Sequence, residues 1–165
     1  MDPTTLVSVE EYLHTDYSPD CEFVDGVLEG RNVGLRTHGL TQSRILVFLM
    51  QFEQQFDLLV LLSLHVRTGP TRFRVPDVSV LRRSDPDEEI VTTPPFLCVE
   101  VLSPDDRMIA MERKIGDYLK MGVPYVWLVD PYARVAWTYA AEARTDGVLR
   151  TKDPDIEMPL SDVLP

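Results

Sequence analysis

The 165-residue sequence contains two cysteines, Cys21 and Cys98, whose spacing fits neither a zinc site nor a disulfide framework. Cys98 stands inside an apolar run, where a reduced, buried thiol is the ordinary reading. Long hydrophobic runs are also missing: no stretch approaches the roughly 20 apolar residues that a membrane-spanning helix needs. The N-terminus, MDPTTLVSVEE, has neither a basic start nor an apolar signal core, so no membrane association and a cytoplasmic location are expected. Positive charge is scarce. Sixteen Lys and Arg against 27 Asp and Glu leave a net charge of -11, which excludes adhesion to nucleic acid over the whole surface, since phosphate affinity comes from clustered Lys and Arg. Internal repeats and low-complexity tracts are absent as well, and 44% apolar with 26% charged residues is ordinary for one globular domain spanning 1–165.

What positive charge there is falls unevenly. Residues 1–30 carry eight acids and no base, residues 31–83 eight Arg against three acids, and residues 84–165 eight bases against sixteen acids. Thirteen of the sixteen bases are Arg, whose planar fork pairs bidentately with phosphate. A local phosphate-facing surface in the middle third and a merely solvated mixed-charge surface both fit this distribution.

Ser8 and Glu11 form a capping-box pattern before a short helix, and EFVDGVLEG alternates about Asp25-Gly26 as a hairpin does. Apolar residues Leu40, Ile45, Leu49 and Phe52 predict a long helix over 37–56. Residues 58–67 read as a buried strand, Gly69-Pro70 as a turn, and 72–81 as a strand interrupted at Pro76 by an edge or a bulge. FLCVEVL, 96–102, is the clearest strand, after an acidic loop over 84–95. Ser103 as N-cap, with Pro104 and two Asp behind it, predicts a helix starting directly after that strand. Its apolar stripe is Met108, Met111, Ile115, Tyr118 and Leu119, and Gly122 with Pro124 ends it. Strands at 125–129, 135–139 and near Val148 follow, making a βαβ crossover, and the tail DIEMPLSDVLP reads as a packed extension.

Two acids sit in these apolar strands, Asp77 in RFRVPDVSVL and Glu100 in FLCVEVL. A carboxylate on the core side of a strand costs several kcal/mol unless it is paired, hydrogen-bonded or bound to a metal. Two such acids on neighbouring strands, with a main-chain carbonyl beside them, make an all-oxygen set that suits Mg²⁺ or Mn²⁺. A turn aspartate at Asp77, and an ion pair of Glu100 with Arg72 or Arg74, are the structural alternatives. Lys114 flanks the buried stripe, so its ammonium either reaches back over the sheet end or snorkels to solvent. His38 and Gln42 share a face at the start of the first long helix, and Glu22 precedes the hairpin turn.

In this order, RFRVPDVSVL, VEVLSPDDR and ERKIGDYLKMGVPYVWLVDP resemble the Uma-type restriction endonuclease family of the PD-(D/E)xK nuclease superfamily. The resemblance runs from EFVDG and the His38 helix to VDP. It implies an α/β, restriction endonuclease-like fold: a mixed central β-sheet flanked by α-helices, with an N-terminal β-hairpin and helix. It also implies an endonuclease acting on DNA with Mg²⁺ or Mn²⁺. On that resemblance Asp77 and Glu100 are the metal carboxylates and Val101 supplies a main-chain carbonyl. The position two residues after the acid, where the superfamily carries lysine, is Leu102; the lysine has migrated to Lys114, while Lys120 lies on another helical face. Glu22 and His38 match the family's auxiliary acid and histidine. Arg72, Arg74 and Arg107 are the nearest candidates for holding a DNA backbone, and a homodimer is expected by analogy with nucleases that cut both strands. The competing expectations are a catalytically inactive nuclease-fold module that binds nucleic acid or protein, and a structural domain in which both acids pair with Arg72 and Arg74.

Overall fold

The computed structural model describes residues 6–31, 35–139 and 147–165. Helix α1 (Val9–Leu13) is capped by the Ser8 hydroxyl, which accepts the Glu11 N–H at 3.1 Å. Strands β1 (Cys21–Val24) and β2 (Val27–Gly30) form the expected hairpin. Its turn residues Asp25 and Gly26 have φ of 49° and 91°, the left-handed values that a two-residue hairpin requires and that an Asp-Gly pair tolerates.

The helix expected over 37–56 is two helices, α2 (Arg36–Met50) and α3 (Glu53–Phe56), with Phe48, Phe52 and Phe56 packed ring to ring across the break. The buried face of α2 is His38, Thr41, Ile45 and Leu49, so its N-terminal end presents polar groups inward. Two further expectations are corrected. Residues 58–67 make two strands, β3 (Leu58–Leu62) and β4 (Val66–Gly69), separated at Ser63, whose φ of 48° ends the first. Residues 72–81 likewise divide into β5 (Arg72–Arg74) and β6 (Val78–Arg82). Pro76 cannot donate to a ladder, and at this point the chain leaves one sheet for another instead of bulging within one.

The N-terminal sheet has the order β2-β1-β5-β4. The central one runs β3-β6-β7-β8-β9, with β7 (Leu97–Val101), β8 (Tyr125–Asp130) and β9 (Val135–Tyr139). Within this central sheet β7 and β8 pair in parallel, joined by α4 (Met108–Met121) as the βαβ pattern requires, and its other neighbours pair antiparallel. Strands β10 (Val148–Thr151) and β11 (Ile156–Pro159) form a small hairpin sheet before α5 (Leu160–Val163), and this tail is packed: Ile156, Met158, Val163 and Leu164 are buried.

Period-two alternation sorts the central sheet into two faces. Leu97, Val99 and Val101, with Val78, Val80, Trp127 and Val129, share a core with Ile45 and Leu49 of α2 and with the tail. Cys98, Leu102, Val126 and Leu128 pack against Met111, Ile115 and Tyr118 of α4. Glu100 alternates with Val99 and Val101 and therefore belongs to the α4 face. Helix α4 starts later than Ser103 suggests. The Ser103 N–H is donated to Asp106 Oδ2 at 2.6 Å and the Asp106 N–H to the Ser103 carbonyl at 3.0 Å, closing a turn that competes with helix, so the helix begins only after Arg107. Met108 and Leu119, expected in the buried stripe, are 43% and 42% exposed, whereas Asp117 is buried. Gly122 ends the helix at φ 102°, where a Cβ would be strained.

Candidate active site

Because β5 belongs to one sheet and β6 to the other, the Val75–Pro76–Asp77 joint lies between them, and Asp77 is held from several directions. Its Oδ2 accepts the Val101 N–H of β7 at 2.8 Å and lies 3.3 Å from His38 Nε2, while its main-chain carbonyl accepts Gln42 Nε2 at 2.9 Å. The shared face of His38 and Gln42 thus docks α2 on this aspartate. Arg31, just beyond β2, reaches to 3.5 Å from Asp77 Oδ1. Burial pushes the Asp77 carboxyl up, but His38, Lys114 and the Val101 N–H outweigh burial and hold it below the ordinary range.

Glu100, 2% exposed, lies under α4. Tyr118 donates its hydroxyl to Oε1 at 2.7 Å, and the Lys114 ammonium is 2.8 Å and 2.9 Å from the two carboxylate oxygens. Lys114 does not snorkel. Its ammonium also contacts Glu22 Oε1 at 2.7 Å and donates to the Val75 carbonyl at 3.2 Å, and these acids hold it protonated well above the ordinary lysine range although burial opposes the charge. Burial raises the Glu100 carboxyl to about 7; Lys114 opposes that rise, and the nearby Asp77 and Glu22 charges reinforce it. Glu22 is lowered instead, because Lys114 and Arg74 together outweigh its burial. Glu22, Arg31, His38, Asp77, Glu100 and Lys114 all line one solvent-reachable cleft of about 130 Å³, whose wall continues through Val101, Ser103 and Arg107.

A second charged cluster adjoins this one through Glu22. Arg74, 2% exposed, gives Nε to Asp117 Oδ2 at 2.8 Å and one terminal nitrogen to Glu22 and Glu29 at 2.8 Å and 2.7 Å. Arg72 binds Asp117 Oδ1 and Asp25 Oδ2, each at 2.6 Å. Neither arginine is paired with Asp77 or Glu100, so the pairing expected in the structural-domain alternative is not formed; Glu100 is held by Lys114 and Tyr118 instead. Arg107 is exposed at the cleft rim, and Lys120 is exposed on a different part of α4. Four residues of these clusters escaped sequence reasoning: Glu29, Arg31, Tyr118 as a donor, and Asp117. A signal existed for two of them, since a buried tyrosine hydroxyl needs a partner and an aspartate beside the buried helical stripe needs a cation.

Among the described residues no group of three or more His, Cys, Asp or Glu side chains is arranged to hold a metal ion. The donors on offer are Asp77, Glu100 and the Val101 carbonyl. Such a set is poor for zinc but suits Mg²⁺ or Mn²⁺, since Mg²⁺ binds through one or two carboxylates and completes its shell with water and substrate phosphate.

A mixed five-stranded sheet with α2 and α5 over one face and α4 over the other, entered from an N-terminal hairpin, defines a restriction endonuclease-like nuclease fold. A crystal structure from Anabaena variabilis ATCC 29413, described as a putative nuclease belonging to DUF820, has that fold. It superposes with a TM-score of 0.82 at 20% identity, covering 95% of this chain and 97% of that one. The family model Uma2, described as "Putative restriction endonuclease", matches residues 9–165, and the chain belongs to that family. No curated protein matches the chain.

Proposed function

We propose that this protein is a divalent-metal-dependent endonuclease hydrolysing phosphodiester bonds of DNA, with Mg²⁺ or Mn²⁺ as its cofactor. The observation that carries the reading is the convergence of Asp77, Glu100 and Lys114 on one open cleft. Asp77, Glu100 and the Val101 carbonyl would hold the ion, which, when bound, polarises a phosphate oxygen and makes hydroxide available near neutral pH. Lys114 orients the attacking water and offsets charge developing on the phosphate. The lysine two residues after the acid is replaced by Leu102, which fills the core under α4; an ammonium delivered from the helix serves equally, because only its place at the site matters.

Glu22 contacts Lys114, Arg74 and the Val75 N–H, and its role in this reading is to aim Lys114. His38 does the same for Asp77. Arg107, exposed at the rim, holds the DNA backbone without reading bases, whereas Arg72 and Arg74 tie the N-terminal sheet to α4. Cleavage of both strands calls for two such centres, which a homodimer supplies. Among the described residues no helix is long and apolar enough to cross a membrane, and two buried, free thiols accord with a cytoplasmic enzyme.

The direct test is plasmid nicking with Mg²⁺ or Mn²⁺, comparing the wild type with Glu100→Ala. Metal-dependent nicking by the wild type alone is expected; equal cleavage by both proteins refutes the assignment. Metal binding by calorimetry without cleavage would instead describe the catalytically inactive module.

A further inference from the structure

The two oxygens of Asp77 are held differently. Oδ2 accepts a main-chain N–H of the central sheet at 2.8 Å and faces His38, whose side chain is 9% exposed. Neither group can leave without disturbing β7 or α2. Oδ1 faces Arg31, at 3.5 Å, an ionic contact longer than a good hydrogen bond. The Arg31 side chain is 21% exposed and lines the cleft, so among the described residues it is the cation on Asp77 with both the freedom and the room to move. It is also tethered. Its other terminal nitrogen donates to Asp20 Oδ2 at 3.1 Å, and Asp20 is itself fixed by the Cys21 N–H on Oδ1 at 3.0 Å and lies 3.4 Å from His65 Nε2.

We propose that Arg31 is a catalytic residue: in the metal-free protein it guards Asp77 Oδ1, and when a divalent ion takes that oxygen the guanidinium pivots about Asp20 onto the phosphate being cleaved. This rests on the nuclease reading. The chemistry favours the exchange. A cation 3.5 Å from a carboxylate competes directly with any second cation for it, and a guanidinium displaced within a cleft that holds a phosphate finds a bidentate partner there. Lys114 cannot make the same move, because Glu22, Glu100 and the Val75 carbonyl hold it on three sides.

The test is Mn²⁺ titration by calorimetry on DNA-free protein, paired with plasmid nicking, for the wild type, Arg31→Gln and Arg31→Lys. Arg31→Gln removes the competing charge and should bind Mn²⁺ roughly tenfold more tightly while nicking roughly a hundredfold more slowly. Arg31→Lys keeps the charge but not the planar fork. It should bind Mn²⁺ as the wild type does and nick about tenfold more slowly, which probes the phosphate grip even if the neutral variant folds poorly. An arginine with only a structural role would not raise metal affinity on removal. Unchanged or weaker Mn²⁺ binding by Arg31→Gln, or undiminished nicking by both variants, overturns the proposal. Wild-type protein that binds Mn²⁺ but never nicks DNA sinks the nuclease reading while the affinity comparison still decides whether Arg31 guards Asp77; no heat from any of the three proteins sinks both.

Discussion

Around Arg74 and Arg72 every charge is answered: four carboxylates, from Asp25, Glu22, Glu29 and Asp117, receive the two guanidinium groups at 2.6–2.8 Å. Adjoining it through Glu22, the cleft around Asp77 and Glu100 sets its carboxylates among a lysine, a histidine and an arginine and is left unfinished. Among the described residues the buried side-chain atoms without a hydrogen-bond partner include His38 Nδ1 and Ser103 Oγ, both from cleft-lining residues, and none from the arginine network. A cluster whose charges are all paired holds elements together. An unsaturated one, with solvent access, leaves valence for a ligand. Two groups of charge in contact, differing in how completely they are paired, thus divide the labour of architecture and chemistry.

The strongest attempt to break this division is Glu100→Gln, which keeps shape and burial while removing the negative charge. Plasmid nicking should fall by a factor of about a thousand or more, and metal-free stability in urea should be unchanged or higher, since the wild-type protein must strain to ionise this carboxyl. Loss of the fold with loss of activity would show that Glu100 belongs to the architecture after all. In the network the opposite is expected. Arg74→Met leaves the buried Glu22 and Asp117 with Lys114 and Arg72 as their remaining cations, at a cost of about 3 kcal/mol in urea unfolding. A loss below about 1 kcal/mol, the range of an ordinary exposed pair, would mean that the network is not what ties β5 to α4.

How far the sequence announced this division depends on whether a residue's role is local or shared between sheets. The hairpin, α1, β7, the βαβ unit and the helix stop at Gly122 were legible because each is written in a few adjacent residues. The acids Asp77 and Glu100 stood out as charges in apolar strands. The two-sheet path was not legible, because Pro76 says only that a ladder stops, not that the next strand joins a different sheet. That switch commits Arg72 and Arg74 to Asp117 rather than to Asp77 or Glu100, so their partners were invisible too. Asp106 competing for the Ser103 N–H is a side-chain choice that displaced the start of α4 in the same way.

A pH series sharpens the comparison through the sign of its slope. Glu100 has a folded pKa raised by burial to about 7 from an ordinary 4.5, so the native state binds a proton more tightly than the unfolded chain, and metal-free stability should fall as pH rises from about 4.5 to about 7. The slope from one such group is at most about 1.4 kcal/mol per pH unit. Glu22 has the opposite sign: burial would raise it, but Lys114 and Arg74 lower it, so its contribution is present above the ordinary value and is lost only as pH falls below it. Urea unfolding in the presence of a chelator at about pH 5, 6 and 7, spanning that window, should show Glu100→Gln converging on or exceeding the wild type as pH rises, with no such trend in Glu22→Gln. Parallel wild-type and Glu100→Gln curves would remove the electrostatic distinction between the clusters.

The smallest effect is expected where an arginine pairs outside both clusters. Arg83 lies 3.8 Å from Asp57, with side chains 50% and 78% exposed. Water solvates both charges before and after folding, and holding two flexible side chains together costs entropy, so such a pair contributes between nothing and about 1 kcal/mol. Arg83→Ala should therefore shift the urea midpoint little, and still less at high salt, where screening removes what attraction remains. Set beside Arg74→Met, it separates the value of an arginine's charge from the value of its burial. If the exposed substitution cost as much as the buried one, the stability assigned to the Arg74 network would owe nothing to its desolvated carboxylates, and completeness of pairing would no longer distinguish scaffold from site.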